Sequence, residues 1–218
     1  MLIVFEGLDG VGKSTVVQGV LNALSATLMR TPSPLLKEAR RRCSDLPPEV
    51  GEALFDLGNM MASAEMREME ERTVVCDRYL VSTAARRIAS EHADSPELIR
   101  GLSSWTWPEH LCQPTLSVHL CLQEDERKQR VRHRGEMTAD EERLEVDPRY
   151  RAALLMAYSE LCDITIDLTG LDEEQAVAWV MTCLRERLPA LHEVAVDSAI
   201  QEDSTSREDR ELDWYCGA

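Results

Sequence analysis

Three groups of residues have the types and spacing to do chemistry. The first is GLDGVGKST, residues 7–15, which fits G-x-x-x-x-G-K-[ST] at Gly7, Gly12, Lys13 and Ser14. Glycines let a backbone curl around phosphate oxygens with its N–H groups turned inward. The candidate cradle runs through Gly7, Asp9, Gly10, Val11, Gly12, Lys13, Ser14 and Thr15. Lys13 would reach the β- and γ-phosphates, and the Ser14 hydroxyl would hold Mg²⁺. The second group is Asp77-Arg78, which closes an apolar run, TVVCD. It is either a ligand site or a structural ion pair, since such networks are common. The third is EDERKQRVRHR, residues 124–134, with Arg127, Lys128, Arg130, Arg132, His133 and Arg134 ahead of Gly135. Cations this dense repel one another unless an anion sits among them. The run is therefore an anion-trapping lid or a solvated basic face.

The elements around these groups follow from local pattern. Residues 2–6 (LIVFE) form a short run of the kind found in buried parallel strands. Residues 13–25 place Val16, Val17, Val20, Leu21 and Leu24 on one helical face. ATLMR (26–30) is a second strand, ended by two prolines at 32 and 34. Helices are expected over 35–43, where Arg40, Arg41 and Arg42 face either solvent or phosphate, and over 48–71. The second carries a Met/Leu/Phe stripe, including Leu57, Met60 and Met61, that reads as core or interface filling. A third strand spans 73–77, a helix 82–92 and a short helix 96–102. Trp105 and Trp107 belong to a loop, as wall packing or a stacking surface for a base. Strands at 115–122 and 164–168 and helices at 124–134, 138–147, 149–162 and 172–188 complete the pattern. His119, alone in an apolar strand, reads as a core histidine. Five strands alternating with helices predict a three-layer α/β fold with a parallel sheet and the phosphate-loop strand central. Ligands then bind beyond the carboxyl ends of the strands, where Asp77-Arg78 also lies.

Composition narrows the field. The chain has 218 residues, 44% hydrophobic, and a formal net charge of −16. That acidity disfavours a nucleic acid or an anionic membrane as partner. The seven cysteines include no C-x-x-C pair, which fits free thiols in a reducing compartment and gives no zinc-ligand spacing. No apolar stretch is long enough to span a bilayer. The N-terminal apolar residues run straight into the phosphate loop, unlike a signal peptide. The expected location is cytoplasmic, with a mitochondrial compartment as the alternative. Residues 1–190 read as one domain with its lid over about 124–147, and 191–218 as an acidic disordered tail.

A triphosphate cradle, an Asp-Arg pair and an arginine lid together suit phosphoryl transfer, which is mostly positioning and charge cancellation. No N-K-x-D sequence occurs, so a small-acceptor kinase is favoured over a guanine-nucleotide switch. A non-catalytic nucleotide-binding module and a P-loop hydrolase are the competing readings.

FEGLDGVGKST, CDRYLVST, QRVRHRGE and IDLTG resemble, in order and spacing, the motifs of the thymidylate kinase family of nucleoside monophosphate kinases. The resemblance covers about residues 2–188. It implies a five-stranded parallel sheet, ATP and Mg²⁺ as cofactors, a nucleoside monophosphate as second substrate, and a homodimer. It places Asp9 near the acceptor sugar, Arg78 on the acceptor phosphate and Arg30 in an R-x-P loop. Arg130 and Arg134 become lid arginines, and Thr169 with Gly170 the adenine-side loop. Ser14 and Asp77 are the implied metal-side residues. Gly10 stands where some members carry a phosphate-loop arginine, which fits the subclass whose lid supplies that charge. The chain departs from thymidylate kinases at Leu57-Gly58-Asn59-Met60 and at Ala85, Arg86 and Arg87. DLGN, TWPEHL and TPSP are closer to the mitochondrial UMP/CMP kinase branch, so a CMP, UMP or dUMP acceptor is favoured over dTMP.

Overall fold

A computed structural model describes residues 1–42, 47–69, 72–95, 98–100, 105–135, 137–189 and Leu191. Five strands and eight helices are found among these residues. They are β1 (Leu2–Glu6), α1 (Lys13–Leu24), β2 (Thr27–Arg30), α2 (Pro34–Arg42), α3 (Pro48–Arg67), β3 (Val74–Asp77) and α4 (Leu80–His92). There follow β4 (Leu116–Cys121), α5 (Glu124–Arg134), α6 (Ala139–Val146), α7 (Pro148–Leu161), β5 (Ile164–Asp167) and α8 (Glu173–Arg187). The chain divides into two units, residues 1–181 and 182–218, and the whole sheet belongs to the first.

All strand pairings are parallel, in the order β2-β3-β1-β4-β5. Every residue of β1 is buried, as its unbroken apolar run anticipates, whereas the edge strands β2 and β5 are only partly covered. Connections run from β1 to one side of the sheet for β2 and β3 and to the other for β4 and β5. Right-handed crossovers then put helices on both faces. The order reverses at β1, so its carboxyl end opens into the crevice where open α/β sheets bind ligands. The register sets Arg30 beside Asp77 and Glu6 beside His119 at that edge.

One core cluster joins Leu2, Val4, Met29, Ala62, Met66, Val74, Cys76 and Tyr79. Trp107 packs on it and stacks on Tyr79 with ring centroids 5.7 Å apart, so the tryptophan loop is a wall. His119 is buried, stacks on Tyr158 and shares a hydrogen bond with Thr165, as a core histidine should.

The apolar stripe expected of α3 is not its buried face. Leu57 and Met60 are 45% and 52% exposed, while Asn59, Ala62, Ser63 and Met66 are buried. The polar pair tolerates burial because each is satisfied. Asn59 donates to Thr83 Oγ1, and Ser63 Oγ accepts from the Cys112 N–H. Among the described residues no helix is long and apolar enough to cross a membrane. The tail from residue 192 and most of the expected helix at 96–102 lie outside the described residues.

Candidate active site

The phosphate loop leaves the end of β1 and turns into α1. Gly7 has φ 135°, and a Cβ there would lie 2.3 Å from the Leu120 carbonyl oxygen, so only glycine fits this approach to β4. Lys13 is buried and donates through Nζ to the carbonyls of Gly7 (3.1 Å) and Leu8 (2.7 Å). Burial and the Arg78 charge push its pKa down to about 7, against Asp9, Asp77 and Glu6. An anion beside Lys13 would restore its charge.

The second half of the site hangs from the end of β3. Arg78 adopts φ 69°, the left-handed region that a non-glycine residue occupies only when its surroundings hold it there. Its guanidinium donates through Nη2 to Asp9 Oδ1 (2.6 Å) and through Nη1 to Ser82 Oγ (3.1 Å) and Tyr158 OH (3.3 Å). Burial opposes its charge, but Tyr158, Asp9 and Glu6 hold it firmly protonated. Burial works against the Asp9 carboxylate too, yet Arg78 and Lys13 hold it well below the usual carboxylate range. Asp9 thus lies between two cations, with Lys13 Nζ at 3.8 Å from the same oxygen that Arg78 contacts.

Arg78 and Lys13 open into one groove of about 1280 Å³. Single-ligand pockets are usually about 300–1,000 Å³, so this one has room for two nucleotides. The expected loop residues Asp9, Gly10, Gly12, Lys13, Ser14 and Thr15 line it. So do Arg30, Asp77, Arg130 and Arg134. Gly7, Val11 and Thr169 do not. Thr169 shapes the turn after β5, bonding Asp167 and accepting from the Gln123 N–H, while its neighbours Leu168 and Leu171 form the wall. Arg41 also lines the groove and, with Arg42, pairs with Glu38.

The residues fit Mg²⁺ with ATP. Asp77 Oδ1 is buried with no hydrogen-bond partner among the described residues, and Oδ2 is 3.8 Å from Arg30 Nε. A buried carboxylate oxygen without a donor calls for a cation or its water. Magnesium takes few protein ligands and the rest from phosphates and water. Ser14 is exposed at the start of α1 on the same groove.

The basic helix α5 faces the groove with Arg130, Val131 and Arg134. Its charges are matched from within the protein, chiefly by acids on α5 and α6. Arg127 is paired with Glu124 (2.8 Å), Arg130 with Glu126 (2.6 Å), Arg132 with Glu145 (3.8 Å) and Arg134 with Glu141 (2.5 Å). Nor does it stand free of the loop. Arg127 Nη1 donates to the Asp9 carbonyl at 3.1 Å, and Arg130 Nη1 lies 3.5 Å from the Val11 carbonyl. A Cβ at Gly10, where φ is 87°, would meet Val131 Cγ2 at 2.6 Å. The missing side chain at Gly10 therefore admits the helix as well as leaving out an arginine.

Other residues join the groove although local pattern does not single them out for it. Arg86 reaches Asp140 of α6 at 3.2 Å and stacks its guanidinium 5.0 Å above the Phe55 ring. Glu6 does not line the groove but is fully buried behind it, bonded to the turn that carries Arg78, and the signal for it is a carboxylate closing an otherwise apolar strand.

Human mitochondrial UMP-CMP kinase 2 is 33% identical over 173 residues, 73% of this chain and 36% of that protein. The chain is similar to P-loop nucleoside monophosphate kinases of the thymidylate-kinase-like type. Its fold agrees with solved members of this type. Thymidylate kinase from Candida albicans superposes with TM-score 0.64 at 20% identity, over 85% of this chain and 91% of that one. Deoxyadenosine kinase from M. mycoides gives TM-score 0.56 at 16% identity, over 85% and 100%. No family model matches the chain. This thymidylate-kinase-like chain spans about a third of the human protein's length.

Proposed function

We propose that this protein transfers the γ-phosphoryl group of ATP to a pyrimidine (deoxy)nucleoside monophosphate, giving the diphosphate and ADP. The observation that carries the reading is Asp9 between Lys13 and Arg78 in one two-nucleotide groove. Lys13 and the loop N–H groups bind the donor phosphates. Arg78 meets the acceptor phosphate from the opposite side, so two anions are held together with their repulsion cancelled. Asp9 spaces the two cations before substrates arrive and faces the acceptor sugar. Arg130 and Arg134 add charge from α5, and Leu168 and Leu171 flank the nucleoside of ATP. Ser14 and Asp77 would hold Mg²⁺, which supplies charge neutralisation across the β- and γ-phosphates when bound.

The name of the human relative supports UMP or CMP as acceptor, and mitochondria as a compartment. The fold of the Candida enzyme keeps dTMP as the alternative. The family resemblance adds a homodimer, for which exposed Leu57 and Met60 on α3 are suitable apolar positions. Sedimentation of the full chain tests that point.

The deciding experiment is a coupled ADP-release assay with ATP, Mg²⁺ and, in turn, UMP, CMP, dUMP, dCMP and dTMP. Acceptor-dependent turnover with UMP or CMP above dTMP is expected. Turnover no faster with any acceptor than without one would reject the kinase.

A further inference from the structure

Arg78 holds a strained backbone and a fixed guanidinium, and something beneath it must supply both. Glu6 lies at the end of β1 with no exposed surface. Its Oε1 accepts from the N–H groups of Tyr79 (2.9 Å) and Ser82 (3.3 Å). Tyr79 is the N-cap residue of α4 and makes no capping bond with its own side chain. Glu6 therefore caps α4 from another strand, with a carboxylate where the helix dipole favours one.

The other oxygen does something different. Oε2 accepts the hydroxyl hydrogen of Ser82. A serine hydroxyl has one hydrogen to give and two lone pairs to offer. With its hydrogen committed to Glu6, Ser82 Oγ can only accept, and two donors surround it. They are Arg78 Nη1 at 3.1 Å and the Tyr158 hydroxyl at 3.1 Å. Arg78 Nη1 also donates to Tyr158 OH at 3.3 Å, which closes the ring. The charge of Glu6 thus dictates which way Ser82 points, and Ser82 in turn presents an acceptor to Arg78.

We infer that Glu6 and Ser82 are positioning residues for Arg78: Glu6 fixes the β3–α4 turn through its capping bonds and orients the guanidinium through the Ser82 hydroxyl. The inference rests on the acceptor-phosphate role proposed for Arg78. Neither residue is among those that line the groove. Burial, which outweighs Ser82, Arg78 and the two N–H donors, pushes the Glu6 pKa up to about 7, so the ionised form that orients Ser82 is finely held.

Two variants separate the capping role from the orienting role. Ser82→Ala keeps the carboxylate and both backbone caps but removes the relay to Arg78. Glu6→Gln keeps a carbonyl acceptor for the caps but turns an amide donor toward Ser82, whose Oγ then competes for that donor and whose hydrogen turns to the Tyr158 hydroxyl. Each is measured as full-length protein in the ADP-release assay, with thermal unfolding alongside. Both should unfold cooperatively. Acceptor kcat/KM should fall about 10- to 100-fold, the range of a lost hydrogen bond to a charged group, with KM for ATP unchanged. Tyr158→Phe, which removes the flanking hydroxyl and leaves the relay, should fall by less than either. Folded variants with wild-type acceptor kinetics, or an equal loss in ATP and acceptor parameters, would overturn this inference alone. A wild-type chain with no acceptor-dependent turnover would overturn it together with the kinase reading.

Discussion

Arg127 donates to the backbone carbonyl of Asp9 at 3.1 Å from a side chain that is 1% exposed. Asp9 is therefore held twice, at its carbonyl by α5 and at its carboxylate by Arg78 and Lys13. The phosphate loop is clamped between a helix that follows β4 and an arginine that follows β3. Glu124 completes the clamp by gripping the Arg127 guanidinium at 2.8 Å through both oxygens.

Replacing that guanidinium with a similar volume of hydrocarbon tests the clamp. Arg127→Met leaves Glu124 with Lys128 and Arg151 nearby but strips the Asp9 carbonyl of its donor. Glu124 is partly exposed, so the loss should fall at the low end for a broken buried pair, about 3 kcal/mol. Urea denaturation should show the destabilisation, and KM for ATP should rise. Unchanged stability with unchanged KM would mean that α5 does not hold the loop.

The same contact constrains Gly10. An alanine there must adopt φ 87° and meet Val131 Cγ2 at 2.6 Å. Gly10→Ala should cost about 1–3 kcal/mol through the backbone conformation alone, with the clash in addition. Val131→Ala in the same chain should recover the clash and leave the backbone cost. A double-mutant cycle in thermal unfolding measures this, and simple additivity of the two changes would show that loop and helix are not in contact.

Local pattern carries the fold a long way. The apolar run before GLDGVGKST, the β-branched TVVCD and the alternation of strands with helices are enough to put β1 in the middle of the sheet. Side-chain partners from distant segments are not legible. Hydrophobicity alone does not show which face of α3 packs on the core, where Asn59 and Ser63 are buried beside Ala62 and Met66 because Thr83 and Cys112 satisfy them. The arginines of α5 look uncompensated because two of their acids, Glu141 and Glu145, lie on α6. Glu6 is visible as a residue but not as a partner, since what it binds is more than seventy residues away.

Lys13 and Arg78 should be indispensable to transfer and dispensable to the fold. Lys13→Ala removes the ammonium that the loop carbonyls aim at the donor phosphates. Arg78→Ala removes the acceptor-side cation. Arg78→Lys is the sharper variant, since one ammonium cannot bond Asp9, Ser82 and Tyr158 as the fork does. Each should lose at least about a hundredfold in kcat, as for a lost charge-stabilising donor. Retained kcat in any of the three, with circular dichroism unchanged, would contradict the assigned role.

The buried pair Glu6 and His119 predicts an unusual pH profile of stability. Burial raises Glu6 from 4.5 to about 7, against its hydrogen bonds and Arg78. Its contribution is therefore full below pH 4.5 and lost as pH rises toward 7. Burial, and then the Lys13 charge, lower His119 from 6.5 to about 4. Its contribution is full above pH 6.5 and lost as pH falls toward 4. Over the shared window, roughly pH 4.5–6.5, folding takes up a proton at one residue and releases one at the other, and the two slopes oppose. Asp9, held below its usual 3.8, acts only at more acidic pH. Wild-type unfolding free energy should therefore change little between pH 5 and 6.5. Glu6→Gln removes one slope and leaves His119, so that variant should gain stability with rising pH, by up to about 1.4 kcal/mol per unit. His119→Gln should do the reverse and lose stability over the same range. Urea titrations at half-unit steps would show both, and parallel flat profiles in the two variants would mean that these side chains titrate normally in the folded protein.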